Sequence, residues 1–234
     1  MVWPVDCREV ELLNPKLEIL PPSQRLLWEE LRHTPRDFVL YGGTAIALRL
    51  GHRQSEDFDF FSNEPFEPSV LLDRVPYLKD ARVDQRGDNT LTSVVDRGGL
   101  VRVSFFGDLR MSHVREPDVT PGNELQIASL LDLTATKLKT IQQRAEAKDY
   151  RDIAAALDAG VDLREALAAA AAVYGKTFNA IAALKALAYF EDGNLPSLPP
   201  DLRDRLRKVS AQVKPESLPV IAGKSGIARE RRER

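Results

Sequence analysis

Residues 123–160 read NELQIASLLDLTATKLKTIQQRAEAKDYRDIAAALDAG, with no proline and no glycine before the final position. The apolar residues in this stretch recur at helical spacing, so it is expected to be helical. DLREALAAAAAVYG, NAIAALKALAYFEDG and PPDLRDRLRKVSAQV continue the pattern, and the alanine-rich run fits close helix packing because alanine has the best helix propensity. Before Pro121 the chain has a different period. DFVLYGG, EDFDFF, ARVDQRG, TLTSVVD and LVRVSFFGD are short, alternating or β-branched runs that read as strands. SQRLLWEELRHT, with Ser23 as N-cap, GTAIALRLG ending at Gly51, and PSVLLDRVPYL, interrupted at Pro76, read as helices among them. MSHVREPDV is expected to add an edge strand. The fold class expected is therefore α+β: a mixed sheet with flanking helices over residues 1–120, then an α-helical domain over residues 121–222. Residues 223–234 are dense in charge and read as a frayed tail.

A chain of 234 residues can bury a sizeable core, and a formal net charge of −2 does not mark a general nucleic-acid binder. The single cysteine, Cys7, excludes an internal disulfide and cysteine-rich zinc sites. The start lacks the order of a signal peptide, and no apolar run is long enough to span a bilayer, so a soluble cytoplasmic protein with no membrane partner is the expectation.

The chemistry concentrates in YGGTAIALRLGHRQSEDFDFF, residues 41–61. Asp57 and Asp59 stand two apart on an expected strand and so share one face, while Phe58 and Phe60 point to the other. Two neighbouring carboxylates stay ionised only when positive charge lies between them. A divalent cation supplies it, since Mg²⁺ takes oxygen ligands, commonly one or two carboxylates plus substrate phosphates. Gly42 and Gly43 form a strand-to-helix turn without side chains, where backbone N–H groups can approach a phosphate at the positive end of the next helix. Thr44 could add a hydroxyl. Arg53, with His52 and Ser55 in the connecting loop, could also reach phosphate. Together these features point to phosphoryl or nucleotidyl transfer. Taken singly, a glycine pair is most often a turn and an alternating acid pair a solvated strand edge.

GGTAIALRLGHRQSEDFDFF resembles the glycine and paired-aspartate motifs of the polymerase-beta-type nucleotidyltransferase superfamily, and within it the AbiEii/AbiGii toxin family. KLKTIQQRAEAKDYRDI, residues 137–153, is similar to that family's helical motif of a lysine, an arginine and a basic residue followed by two aspartates. The resemblance implies a nucleotidyltransferase-like sheet and Mg²⁺ (or Mn²⁺) on Asp57 and Asp59. It implies an NTP held by Gly42, Gly43 and Thr44, with Arg53 and Ser55, and Lys137 on the triphosphate. Asp149 or Asp152 would act near the acceptor as base or orienting group, while Arg144 and Lys148 would hold triphosphate or RNA backbone. RNA, including tRNA, is the implied acceptor class, and a cognate antitoxin the implied partner. On one continuous helix Lys137, Arg144 and Lys148 would lie near one face, and Lys148–Asp152 would pair at the surface.

Such enzymes add a third carboxylate from a later strand. The matching strand here is VRVSFF, with Ser104 at the aligned position and Arg102 and Phe106 on the same face. A nucleotidyltransferase fold that binds NTP or RNA without catalysis, as a sensor or partner module, is the alternative. The oligomeric state is not legible in the sequence.

Overall fold

The computed structural model describes residues 12–229; Cys7 and residues 230–234 lie outside them. The chain folds in the order α1 (Pro22–Trp28), β1 (Val39–Tyr41), α2 (Gly42–Leu50), β2 (Asp57–Phe61), α3 (Pro68–Arg74), β3 (Arg82–Gly87), β4 (Thr90–Asp96) and β5 (Leu100–Phe106). Short strands β6 (Ser112–His113), β7 (Asp118–Val119) and β8 (Gln126–Ile127) follow. Then come α4 (Leu130–Thr140), α5 (Ala147–Asp158), α6 (Leu163–Tyr174), α7 (Ala180–Ala188), α8 (Pro200–Ala211) and β9 (Lys224–Ser225). Seven strands form one mixed sheet in the order β3-β4-β5-β2-β1-β8-β7, and β6 pairs with β9 apart from it. Mixed sheet, flanking helices and a helical C-terminal region match the α+β class expected.

Two apolar clusters account for the two lobes. Trp28, Phe38, Leu40, Ile46, Phe58, Phe60 and Phe105 belong to the core of the sheet lobe. Leu138, Tyr150, Ile153, Leu167, Leu187 and Phe190 belong to that of the helical lobe. The alternation in β2 works as its sequence demands, because Phe58 and Phe60 are fully buried while Asp57 and Asp59 lie on the other face. Gly51 ends α2 with φ +70°, a left-handed helix stop.

Four local expectations differ. α1 begins at Pro22 after Pro21, so Ser23 lies inside the helix rather than at its cap. The MSHVREPDV stretch splits: Ser112–His113 pairs with β9, and Asp118–Val119 forms the sheet edge. The stretch expected to be helical from residue 123 opens with strand β8, which carries the sheet lobe past residue 120 to Ile127, and its first helix starts only at Leu130. The tail is also more ordered than its charge suggests. Lys224 and Ser225 pair with β6, Ile227 is 1% exposed in the core of the sheet lobe, and the Arg229 amide donates to Gln126 Oε1 at 2.9 Å. The burial of Ile227 acts with the strand pairing and the Arg229 hydrogen bond to fasten this charged segment.

Among the described residues no single helix is long and apolar enough to cross a membrane.

Candidate active site

β1 runs straight into α2 at Gly42, and β2 returns antiparallel beside β1 with Tyr41 opposite Asp59. This pairing brings the paired acids back to the start of α2. Gly42 has φ +74°, and a Cβ there would stand 2.6 Å from Asp59 Oδ2, so both the turn and the approach of the carboxylate require glycine. At Gly43 a Cβ would overlap the Arg53 guanidinium. The first N–H groups of α2 have no partners within the helix, and the helix dipole is positive at this end.

Asp59 is the most perturbed acid at this edge. Burial and the charge of Asp57 push its carboxyl up to about 6, although Lys137, Lys148 and Arg144 act the other way. A pair whose second proton is held this firmly suits a divalent cation, which would replace the proton as the neutralising charge. The donor set is two carboxylates, and among the described residues no third His, Cys, Asp or Glu joins a metal-binding group. The residue beside Asp59 on β5 is Ser104, in parallel register, and Arg102 lies beside Asp57. Ser104 is buried and accepts a hydrogen bond from Thr92 Oγ1 at 3.3 Å. Two aspartates with an unfilled coordination sphere fit Mg²⁺ that takes its remaining oxygens from substrate phosphate and water.

The helical lobe contributes a buried ionic cluster. Lys137 Nζ lies 2.7 Å from Asp149 Oδ1 and 2.8 Å from Asp152 Oδ2, and neither aspartate side chain is exposed. Arg144 donates to Asp149 from Nε at 2.9 Å and from Nη2 at 3.2 Å. Asp152 is reached from the other lobe by Arg53 Nε (2.6 Å), Arg53 Nη2 (2.9 Å) and His52 Nε2 (2.8 Å). Burial alone would raise Asp152, but the His52 and Arg53 hydrogen bonds and the charges of Lys137 and Arg53 hold it well below the usual carboxylate range. Asp149 is also lowered: burial opposes it, and Arg144 and Lys137 prevail.

The geometry redistributes several roles expected from the sequence. α4 ends at Thr140 and α5 begins at Ala147, so Lys137 and Lys148 are not on one helix face. Lys148 pairs with Glu146 at 2.9 Å rather than with Asp152. The Thr44 hydroxyl is turned inward, donating to the Asp57 carbonyl and lying 2.9 Å from Ser55 Oγ. Asp149 and Asp152 are surrounded by cations, so neither is set up to take a proton. His52, expected near phosphate, contacts Asp152 instead, a meeting of residues 100 apart that has no local signature. Tyr41, a buried core side chain stacked on Phe61, lies opposite Asp59, and Arg102, expected on the face of Ser104, lies beside Asp57. The strand pattern that puts Arg102 on the face of Ser104 is the signal that marks it.

A sheet that leads through a glycine turn into a helix and returns with paired acids on the next strand defines a nucleotidyltransferase-like fold. Within that class, residues 25–220 match the family described as "Nucleotidyl transferase AbiEii toxin, Type IV TA system", and the chain belongs to it. An uncharacterized protein of Aquifex aeolicus strain VF5 is 31% identical over 159 residues, covering 67% of this chain and 75% of that one. The nucleotidyltransferase toxin MenT4 of Mycobacterium tuberculosis H37Rv has a similar structure, with TM-score 0.55 and 16% identity over 83% of this chain and 86% of MenT4. An antigenic nucleotidyltransferase-like protein from Paracoccidioides brasiliensis aligns at TM-score 0.47 and 20% identity, over 82% of this chain and 93% of that one.

Proposed function

We propose that this chain is a Mg²⁺-dependent nucleotidyltransferase toxin that moves a nucleoside monophosphate from an NTP to RNA, tRNA being the favoured acceptor. The observation that carries this is the convergence on Asp59 of the glycine turn, its strand neighbour Asp57 and the helical lobe, which is remote in sequence. The Gly42 turn touches its carboxylate, Asp57 charges it from the same strand, and Lys137 of the helical lobe acts on it electrostatically.

The N–H groups at the start of α2 would cradle phosphate oxygens. Asp57 and Asp59 would hold the cation, which supplies charge neutralisation on the triphosphate and the departing pyrophosphate. Lys137 adds a positive charge beside them, held by Asp149 and Asp152 so that it need not reorganise during reaction. The acceptor hydroxyl oxygen attacks the α-phosphorus, the bond from that phosphorus to the oxygen bridging to the β-phosphorus breaks, and pyrophosphate leaves with the electron pair. The hydroxyl proton passes to water. Arg144 and Lys148 are partly exposed cations whose charges reach Asp59, and they would steer a polyanionic acceptor towards it. Membership of a toxin–antitoxin family supports a cognate antitoxin as partner, and the proposed place of action is the cytoplasm.

A second reading rests on Ser104. With serine beside Asp59 where related enzymes have a third acid, the fold would bind NTP or RNA as a sensor without transferring anything. Incubation with each α-labelled NTP, Mg²⁺ and total cellular RNA separates the two. Label on RNA with wild type and none with Asp57→Ala/Asp59→Ala supports transfer. Nucleotide binding without label transfer or pyrophosphate supports the sensor.

A further inference from the structure

The loop between α2 and β2 carries His52 and Arg53, which sequence alone suggests as phosphate binders, yet both are turned to a carboxylate of the helical lobe. Arg53 uses Nε and Nη2 on Asp152 and Nη1 on the Gln54 carbonyl at 2.8 Å, so three of its five donors are fixed inside the protein. Its guanidinium fills the space a side chain at Gly43 would occupy. His52 adds a further contact to Asp152 at 2.8 Å. Lys137 meets Asp152 at Oδ2, the same oxygen that accepts from Arg53 Nη2.

The two aspartates holding Lys137 are braced differently. Asp149 is fixed by Arg144, five residues away in the same lobe. Apart from Lys137, the side chains on Asp152 come from His52 and Arg53, across the lobes. An ammonium has three hydrogens in a rigid tripod. Lys137 donates one of them to Asp149 Oδ1 and forms an ion pair with Asp152 Oδ2, so the placement of the two carboxylates sets where the ammonium sits.

We propose that Arg53, assisted by His52, is a positioning residue that sets the ammonium of Lys137 through Asp152. It thereby ties the reactive geometry to the seating of the helical lobe on the glycine turn. This inference rests on the nucleotidyl-transfer reading for its kinetic consequence but not for its geometry. Arg53 acts on the nucleotide through another side chain and is not its phosphate ligand.

The test uses full-length wild type, Arg53→Lys, Asp152→Asn and the double variant, with kcat for transfer and the dissociation constant for NTP measured separately. Arg53→Lys keeps the charge and loses the fork. The expected result is a kcat lower by about 10–100-fold, as for other residues that orient a reacting group through an intermediary, with the NTP dissociation constant changed by less than about threefold. The double variant should be no worse than Asp152→Asn, since both changes break one chain of contacts. A dissociation constant raised about tenfold or more with kcat intact, or effects that multiply, would overturn the proposal by making Arg53 a direct ligand. A purely structural role, lowering Tm while leaving kcat and KM of the folded fraction unchanged, would overturn it too.

A readout independent of turnover is the ¹⁵N ammonium signal of Lys137, assigned by its loss in Lys137→Arg. It should be protected from exchange in wild type and lost or shifted in Arg53→Lys; an unchanged signal contradicts the proposal. If wild type transfers nothing, the functional reading fails alone and this signal still decides the positioning role. Should Arg53→Lys not fold, His52→Ala removes one contact from Asp152 and is read by the same signal.

Discussion

At the scale of single residues, the site stores unfavourable charge that its ligand is built to relieve. Asp59 has a folded-state carboxyl pushed up to about 6 by burial and by Asp57. A raised carboxylate contributes to stability at low pH, fully below its unfolded value near 4, and loses that contribution as pH rises through about 6. At pH 8 without metal, Asp59→Asn should therefore stabilise the fold by about 2 kcal/mol, seen as a higher Tm, while lowering transfer by about 10²–10³-fold. Cation binding should show the complementary dependence, weakening as pH falls through about 6 because the proton and the metal compete for one carboxylate. Asp149 and Asp152 behave oppositely. Their depressed values mean stability present above the ordinary carboxylate range and lost as pH falls below it.

At the scale of elements, the turn, α2 and β2 form a unit whose parts lie within about twenty residues, and that proximity makes them legible in the sequence. Glycines at a strand-to-helix junction and acids alternating with phenylalanines have local causes, so the face carrying Asp57 and Asp59 follows from the residue pattern alone. The break between α4 and α5 does not, since residues 141–146 contain neither proline nor glycine. Its cause is tertiary. The Ala147 amide that opens α5 donates to Asn194 Oδ1 at 2.6 Å, and a Cβ at Gly193 would collide with the Ala145 carbonyl. A capping group brought from nearly fifty residues away leaves no trace in the helix it caps. The same distance problem hides the ionic cluster: Lys137, Asp149 and Asp152 are visible as a motif, while the lobe-to-lobe partners of Asp152 are not. Gly43→Ala tests the unit. The added methyl must displace the Arg53 guanidinium, so transfer should fall by about 10-fold or more and Tm should fall as the buried Asp152 loses a partner; activity retained at wild-type level would show that Arg53 has room to move without consequence.

At the scale of the whole molecule, two lobes with separate cores meet at several places among the described residues, including the packing of α2 on α5. α4 follows the sheet directly, Asp152 meets Arg53 and His52, and the C-terminal segment crosses back to bury Ile227 in the sheet lobe. His113 Nδ1 lies 2.7 Å from the Gly226 carbonyl beside that crossing. Charge density in the terminal segment conceals this strap, because composition averages over the one apolar side chain that matters. Ile227→Ala should cost about 2–4 kcal/mol in urea unfolding, the usual range for emptying a buried isoleucine site. A change below about 0.5 kcal/mol would mean the strap does not contribute to the fold.

The central claim is that the glycine turn, Asp57, Asp59 and Lys137 bind one metal–nucleotide complex. Crystals grown with Mn²⁺ and an NTP analogue that cannot be cleaved between the α- and β-phosphorus atoms test it most directly. An anomalous peak about 2.0–2.3 Å from oxygens of both aspartates, with phosphates against the Gly42–Gly43 amides and Lys137 Nζ, is the predicted result. Metal bound elsewhere, or a nucleotide seated away from the turn, would contradict the account.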